Sequence, residues 1–401
     1  MKIAQRVQTL PTYVFAELDQ HVKLLVSQGV DVIRMDIGSP DLPPAPKVVA
    51  TLNKAASQSD AHGYPGYYGL ATFRQAVATY YARRFNVRLD PNTEILPLLG
   101  SKEGIHHVAT AFVDPGTVAL VPDPSYPTYR TTVMLAGGKP YLMPLRRENH
   151  FFPNFGSIPT EVLNKARLLW LNYPNNPTTA LADMDFLVEA VAFARQHDLL
   201  IVHDNPYAEV NWMGIEALSI LQVEGARDVA IELNTLSKMA NMAGWRIGMA
   251  VGNAEAVAAM AQVKTNIDSG IFKPLQEAAT VALTIPPEWL SERNAIYKRR
   301  RSIITRALNR MRLWYAPYAA TLYIWTEIPP GFESSRAFTT ALLEETGVSL
   351  APGTAFGDQG EGYARVSIVQ PEDRLEEAME RWERWLINKA TGVTSNENWP
   401  A

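Results

Sequence analysis

Lys238 directly follows Ser237 and stands eight residues before Arg246 in Leu236-Ser-Lys-Met-Ala-Asn-Met-Ala-Gly-Trp-Arg-Ile-Gly248, and upstream lies His203-Asp-Asn-Pro-Tyr207. An amine able to form an imine, a hydroxyl and a guanidinium able to grip a phosphate, and an acid with a phenol are the groups that pyridoxal phosphate requires of its protein. Taken singly, most lysines are solvated surface charges. The pattern around Lys238 argues against that reading.

Residues so far apart in sequence need repeating elements to bring them together. Short apolar, β-branched runs recur at 94–99, 117–121, 139–145, 168–171, 199–202, 229–233 and 247–251, and read as buried strands. Helix-length stretches at 104–112, 126–136 and 183–196 separate several of them, which predicts an α/β fold with a mostly parallel central sheet covered by helices. Polar clusters follow five of these runs, at 100–102, 123–126, 172–176, 204–207 and 237–238. Because open α/β sheets bind ligands beyond the carboxyl ends of their strands, the five loops are expected to share one crevice.

Amphipathic spacing predicts flanking helices over 13–27, with Leu18, Val22 and Leu25 on one stripe, and over 373–388. The proline-rich Ser39-Pro-Asp-Leu-Pro-Pro-Ala-Pro46 and Ile285-Pro-Pro287 are candidate boundaries. They divide the chain into a large cofactor-binding domain, 46–285, and a smaller α+β domain built from 1–45 and 286–401. A frayed tail is expected over 391–401.

The chain has 401 residues, 47% apolar and 19% charged, enough to bury a large core. A net charge of −4 offers no field for nucleic acid or an anionic membrane. The basic run Lys298-Arg-Arg-Arg301 reads as a solvated helix face. The absence of cysteine excludes disulfides, thiolate metal sites and a cysteine nucleophile. No metal site is expected, since the seven histidines are scattered and adjacent His106 and His107 on a helix would diverge by about 100°. With no signal segment and no long apolar run, a cytoplasmic location is expected.

These motifs, in this order over roughly 30–370, resemble the class I/II aminotransferases of the fold-type I pyridoxal-phosphate superfamily. The resemblance implies a homodimer with shared active sites and pyridoxal 5′-phosphate as cofactor, with amino-acid and 2-oxo-acid substrates. Lys238 matches the lysine that carries the cofactor and afterwards moves the substrate proton; Asp204 matches the partner of the pyridine nitrogen. Tyr207 and Asn176 match donors to the phenolic oxygen, in Asp204-Asn-Pro-Tyr207 and Asn172-Tyr-Pro-Asn-Asn-Pro-Thr178. Ser237, Arg246 and the backbone N–H groups of Ser101 and Lys102 match a phosphate cradle, and Tyr126 the aromatic that stacks on the ring. Tyr64, in Tyr-Pro-Gly-Tyr-Tyr-Gly69, resembles the tyrosine that reaches the neighbouring subunit's phosphate. Arg365 and Gly38 match contacts to the substrate α-carboxylate, which Asn176 also joins. The sequence departs from the family at Thr179, where glycine is frequent.

Leu99-Gly-Ser-Lys-Glu-Gly104 and Asn266-Ile-Asp-Ser-Gly270 look most like bacterial LL-diaminopimelate and alanine/aspartate-type enzymes. Tyr68 stands where diaminopimelate enzymes tend to carry a carboxylate, so an apolar or aromatic donor is a further expectation. A C–S lyase or other elimination enzyme on the same scaffold stays open, because pocket geometry decides which bond breaks. A dehydrogenase is disfavoured, since no strand is followed by G-x-G-x-x-G.

Overall fold

The structure, a computed structural model, describes residues 1–212 and 216–391. Twelve strands lie within them: β1 (Ile33–Arg34), β2 (Ile95–Leu98), β3 (Val118–Asp123), β4 (Lys139–Pro144), β5 (Ala166–Asn172), β6 (Leu200–Asp204), β7 (Ala230–Thr235), β8 (Gly248–Gly252), β9 (Tyr323–Glu327), β10 (Val348–Ser349), β11 (Ala351–Pro352) and β12 (Tyr363–Ser367). The seven apolar runs form one sheet in the order β2-β8-β7-β6-β5-β3-β4. Only β8 runs against its neighbours, β7 and β2. The other neighbouring pairs are parallel, as their crossover connections require.

Several strands extend past their apolar runs. Asp123, Asn172, Asp204 and Thr235 are the last residues of β3, β5, β6 and β7, where the sequence reading had placed the first two and Asp204 in loops. Ladder hydrogen bonds hold these polar residues in the strand conformation, and their side chains emerge at the sheet's carboxyl edge. The helices Ser101–Phe112, Thr128–Leu135 and Met184–Gln196 fall in the expected gaps, the last capped by Asp183, whose Oδ1 accepts the Phe186 N–H at 2.8 Å.

The two ends of the chain meet in a second cluster of elements. β1 pairs in parallel with β10, and β11-β12-β9 form an antiparallel sheet. Ile33 and Met35 share a core with Leu322, Phe338 and Trp382. The flanking helices run over Val14–Ser27 and Glu372–Thr391; in the first, Val22 is buried and Leu18 and Leu25 are half-buried. Beyond Thr391, the expected tail lies outside the described residues.

One expectation is corrected. The basic run 298–301 lies in the helix Pro287–Arg310, but it is not a uniformly solvated face. Arg300 is buried and makes a bidentate pair with Asp41 at 2.7 and 2.8 Å, and Arg301 donates to the Tyr318 carbonyl at 3.1 Å. Consecutive helical residues point about 100° apart, so a run of four charges necessarily turns part of itself inward. Among the described residues, no helix is long and apolar enough to cross a membrane.

Candidate active site

A cavity of about 700 Å³ opens at the carboxyl edge of the large sheet, against the chain-end elements. Its wall contains Gly38, Ser101, Lys102, Tyr126, Asn176 and Asp204. Tyr207, Ser237, Lys238, Arg246 and Arg365 complete it. Of the site and selectivity residues singled out from sequence, Tyr64 and Tyr68 do not line it; they are 89% and 61% exposed on this chain's surface.

Lys238 sits on the short helix Leu236–Met239 that leaves β7, and its Nζ donates to the Gly38 carbonyl. Burial, with the Arg365 and Arg246 cations nearby, lowers its pKa to about 8. Roughly a tenth of this amine is therefore uncharged at neutral pH, far more than of an ordinary lysine, and the uncharged form is the one a nucleophile or base requires.

Asp204 faces the cavity from the end of β6. Its Oδ2 accepts the Tyr129 hydroxyl at 2.6 Å, while its buried Oδ1 has no hydrogen-bond partner. Burial raises its pKa to about 6 against the opposing effect of the Tyr129 bond. An orphaned buried carboxylate oxygen is an acceptor waiting for a donor, and the protonated pyridine nitrogen of the cofactor fits that demand. Sequence reasoning missed Tyr129. Its position three residues after Tyr126, whose ring it meets edge-on at 5.8 Å from the first turn of the helix Thr128–Leu135, was the available signal.

At the opposite end, Arg246 Nη1 lies 3.3 Å from Ser237 Oγ and Nη2 lies 3.4 Å from the Leu99 carbonyl. Gly100, at φ +85°, precedes the helix Ser101–Phe112 with no side-chain cap, so the first N–H groups of that helix are open to an anion. A Cβ on Gly100 would come within 2.4 Å of Arg246 Nη2. Free N–H groups, a hydroxyl and a guanidinium in one concavity fit a phosphate.

Arg365, on β12, donates to Asn176 Oδ1 at 2.9 Å and to the Asp36 carbonyl at 2.8 Å, while its buried Nε has no partner. Three rings surround the guanidinium: Tyr323 at 4.0 Å, Phe356 at 4.6 Å and Phe15 at 5.3 Å. The Tyr323 hydroxyl also lies 3.0 Å from that of Tyr207, and a Cβ on Gly38 would approach it within 2.0 Å. Glycine at 38 is thus set by close packing. The ring cage of Phe15 and Phe356 carried no motif in the sequence, since its members lie hundreds of residues apart.

Comparison with known proteins agrees with this geometry. Residues 30–381 match the family described as aminotransferase class I and II. LL-Diaminopimelate aminotransferase of Aquifex aeolicus is 47% identical over 380 residues, covering 95% of this chain and 98% of that protein. LL-Diaminopimelate aminotransferase 2 of Trichormus variabilis is 45% identical over 382 residues, with the same coverage of 95% and 98%. Among solved structures, substrate-bound BacF from Bacillus subtilis superposes with a TM-score of 0.92 at 36% identity, covering 96% of this chain and 98% of that one. The aromatic aminotransferase of Pyrococcus horikoshii gives 0.85 at 31% identity over 93% and 100% of the two chains. The chain belongs to the class I and II aminotransferases, on the fold-type I scaffold. It is a pyridoxal-phosphate-dependent enzyme that moves an amino group from an amino acid to a 2-oxo acid.

Proposed function

We propose that the convergence of Lys238, Asp204 and Arg365 on one cavity sets the chemistry as follows. Lys238 carries the cofactor and, once its amine is free, transfers the substrate Cα proton. The bound cofactor supplies a ring that accepts the electron pair left at Cα. Asp204, through its orphaned oxygen, keeps the ring nitrogen protonated, and Tyr129 orients that carboxylate. Tyr207 and the amide of Asn176 donate to the phenolic oxygen, and Tyr126 covers the ring face. Ser237, Arg246 and the N–H groups of Ser101 and Lys102 hold the phosphate. Arg365, with Asn176 and Gly38 beside it, receives the substrate α-carboxylate through a planar fork of donors.

The amino donor is inferred from two observations. The full-length relatives are named for LL-diaminopimelate, which favours that donor. The cavity favours a second reading, an aromatic donor: Tyr13, Phe15 and Tyr323 line it, and the carboxylates of Asp19 and Asp36 are engaged by Arg34 at 2.8–3.0 Å. Half-reactions with single amino acids, read by the cofactor's absorption, test both. Release of ammonia and a 2-oxo acid without an aminated cofactor would instead indicate elimination.

Several further features belong to this proposal. Tyr64, Tyr67, Tyr68, Ile267 and Phe272 form an exposed apolar group, with Gly270 packed against Gly66 beneath it. Such a surface suits a second copy of the chain, whose cavity Tyr64 would complete. Arg74 braces the segment by donating to the Tyr68 and Gly69 carbonyls at 3.0 and 2.6 Å. The division into 46–285 and 1–45 with 286–401, and a cytoplasmic location, fit the same reading.

A further inference from the structure

On the face of the sheet opposite Asp204 lies a polar group that the chemistry above does not use. His203 precedes Asp204 on β6, and alternation along the strand sends the two side chains to opposite faces. His203 and Glu232, register partners on β6 and β7, are both fully buried. His203 Nδ1 lies 3.0 Å from Glu232 Oε2, and Nε2 lies 3.0 Å from the Tyr173 carbonyl oxygen.

A carbonyl oxygen only accepts, so Nε2 must carry a proton. The proton count then turns on Nδ1. A neutral ring protonated at Nε2 would aim a bare Nδ1 lone pair at the carboxylate, so the His203–Glu232 pair must hold one proton more than neutral imidazole plus carboxylate. Glu232 Oε1 accepts the Tyr81 hydroxyl at 2.8 Å and Oε2 accepts the Ile220 N–H at 3.2 Å. A carboxylate already receiving two donors is stabilised as the anion, which leaves the extra proton on the ring.

We propose that His203 and Glu232 form a buried imidazolium–carboxylate pair that positions Asp204 and sustains its negative charge from the far side of the sheet. The positioning is direct. One ring ties the end of β5, through Tyr173, to β6 and β7, and Asn176, Asp204 and Lys238 leave the ends of those three strands. The cation belongs to the residue adjoining Asp204, whereas its counter-anion is one strand further away. The field at Asp204 is consequently net positive, and His203 acts on it more strongly than Glu232 does, in the opposite sense. The remaining titratable groups of the cluster are Tyr81 itself and Tyr80, which donates to Glu209 at 2.8 Å.

The inference rests on the assignment of Asp204 to the cofactor nitrogen, and the test separates the two. In cofactor-free protein at neutral pH, ¹⁵N spectra of the histidine rings should show His203 doubly protonated. Its signal is identified by its loss in His203→Asn. Glu232→Gln keeps the size and one hydrogen bond but removes the charge, so His203 should become neutral. The holoenzyme's amino-donor half-reaction should then slow by about tenfold, the equivalent of one pKa unit at Asp204, with KM and cofactor content unchanged. A packing role alone would alter stability and cofactor content, not the ring's charge. A neutral His203 in the unsubstituted protein overturns the proposal, and that spectrum decides the matter should Glu232→Gln not fold. A slow Asp204→Asn beside a fast Glu232→Gln likewise overturns the pair alone. A fast Asp204→Asn overturns the assignment of Asp204, and with it this inference.

Discussion

Asp204 carries opposing demands that a titration can expose. Folding raises its pKa to about 6, so between the ordinary carboxylate value of 3.8 and about 6 the folded cofactor-free protein binds more protons than the unfolded chain. Stability therefore falls as pH rises through that window, and the full penalty persists above it. Asp204→Asn, which leaves Tyr129 an acceptor, should stabilise the cofactor-free protein at neutral pH by roughly 3 kcal/mol, and the gain should vanish below about pH 4. Denaturant unfolding across pH checks this. The same substitution should slow the amino-donor half-reaction at least about a hundredfold, because the charge acts on the transition state more than on the ground state. Arg365→Lys should weaken all amino acids together, since a point charge replaces a shared planar fork. Tyr68→Glu should raise kcat/KM for diaminopimelate relative to monoamino acids, and an unchanged ratio would remove Tyr68 from donor selection.

Among the elements, the loop Asn172 to Ala180 offers a sharp test. Thr179 is buried at φ +65°, a left-handed conformation that glycine enters freely and a β-branched residue does not. Thr179→Gly should therefore be more stable than Thr179→Ala by about 1 kcal/mol, the reverse of their usual order. Gly100→Ala, forcing a Cβ against Arg246, should loosen cofactor binding at least about tenfold, a loss of some 1.4 kcal/mol, readable as the midpoint of a cofactor titration. The inner strands of the large sheet were legible because burial on both faces leaves continuous apolar runs, and the residues that line the cavity were legible because they follow those runs. Asp123, Asn172 and Asp204 were misplaced by a residue or two, since ladder bonding extends strands past the point where hydrophobicity ends. Arg300 was misread because its partner, Asp41, is 259 residues away. Tyr129, Phe15 and Phe356 escaped notice because tertiary packing alone gathers them.

At the scale of the whole molecule, the proposed role of Tyr64 needs a second chain. Tyr64 does not line the cavity of its own chain, so with a shared site, mixing Lys238→Ala with Tyr64→Ala protein should yield heterodimers with one intact site and recover part of the activity. Exchange demonstrated without recovery would leave Tyr64 without its proposed role. The two chain ends, pairing β1 with β10 and packing Met35 beside Val366, bring Gly38 and Arg365 to a cavity whose other wall is the large sheet. Everything then turns on which amine carries the cofactor. Borohydride reduction of the holoenzyme followed by peptide mapping tests this most directly: the account predicts a single reduced adduct on Lys238, and an adduct on another lysine, or none after saturation with pyridoxal 5′-phosphate, would contradict it.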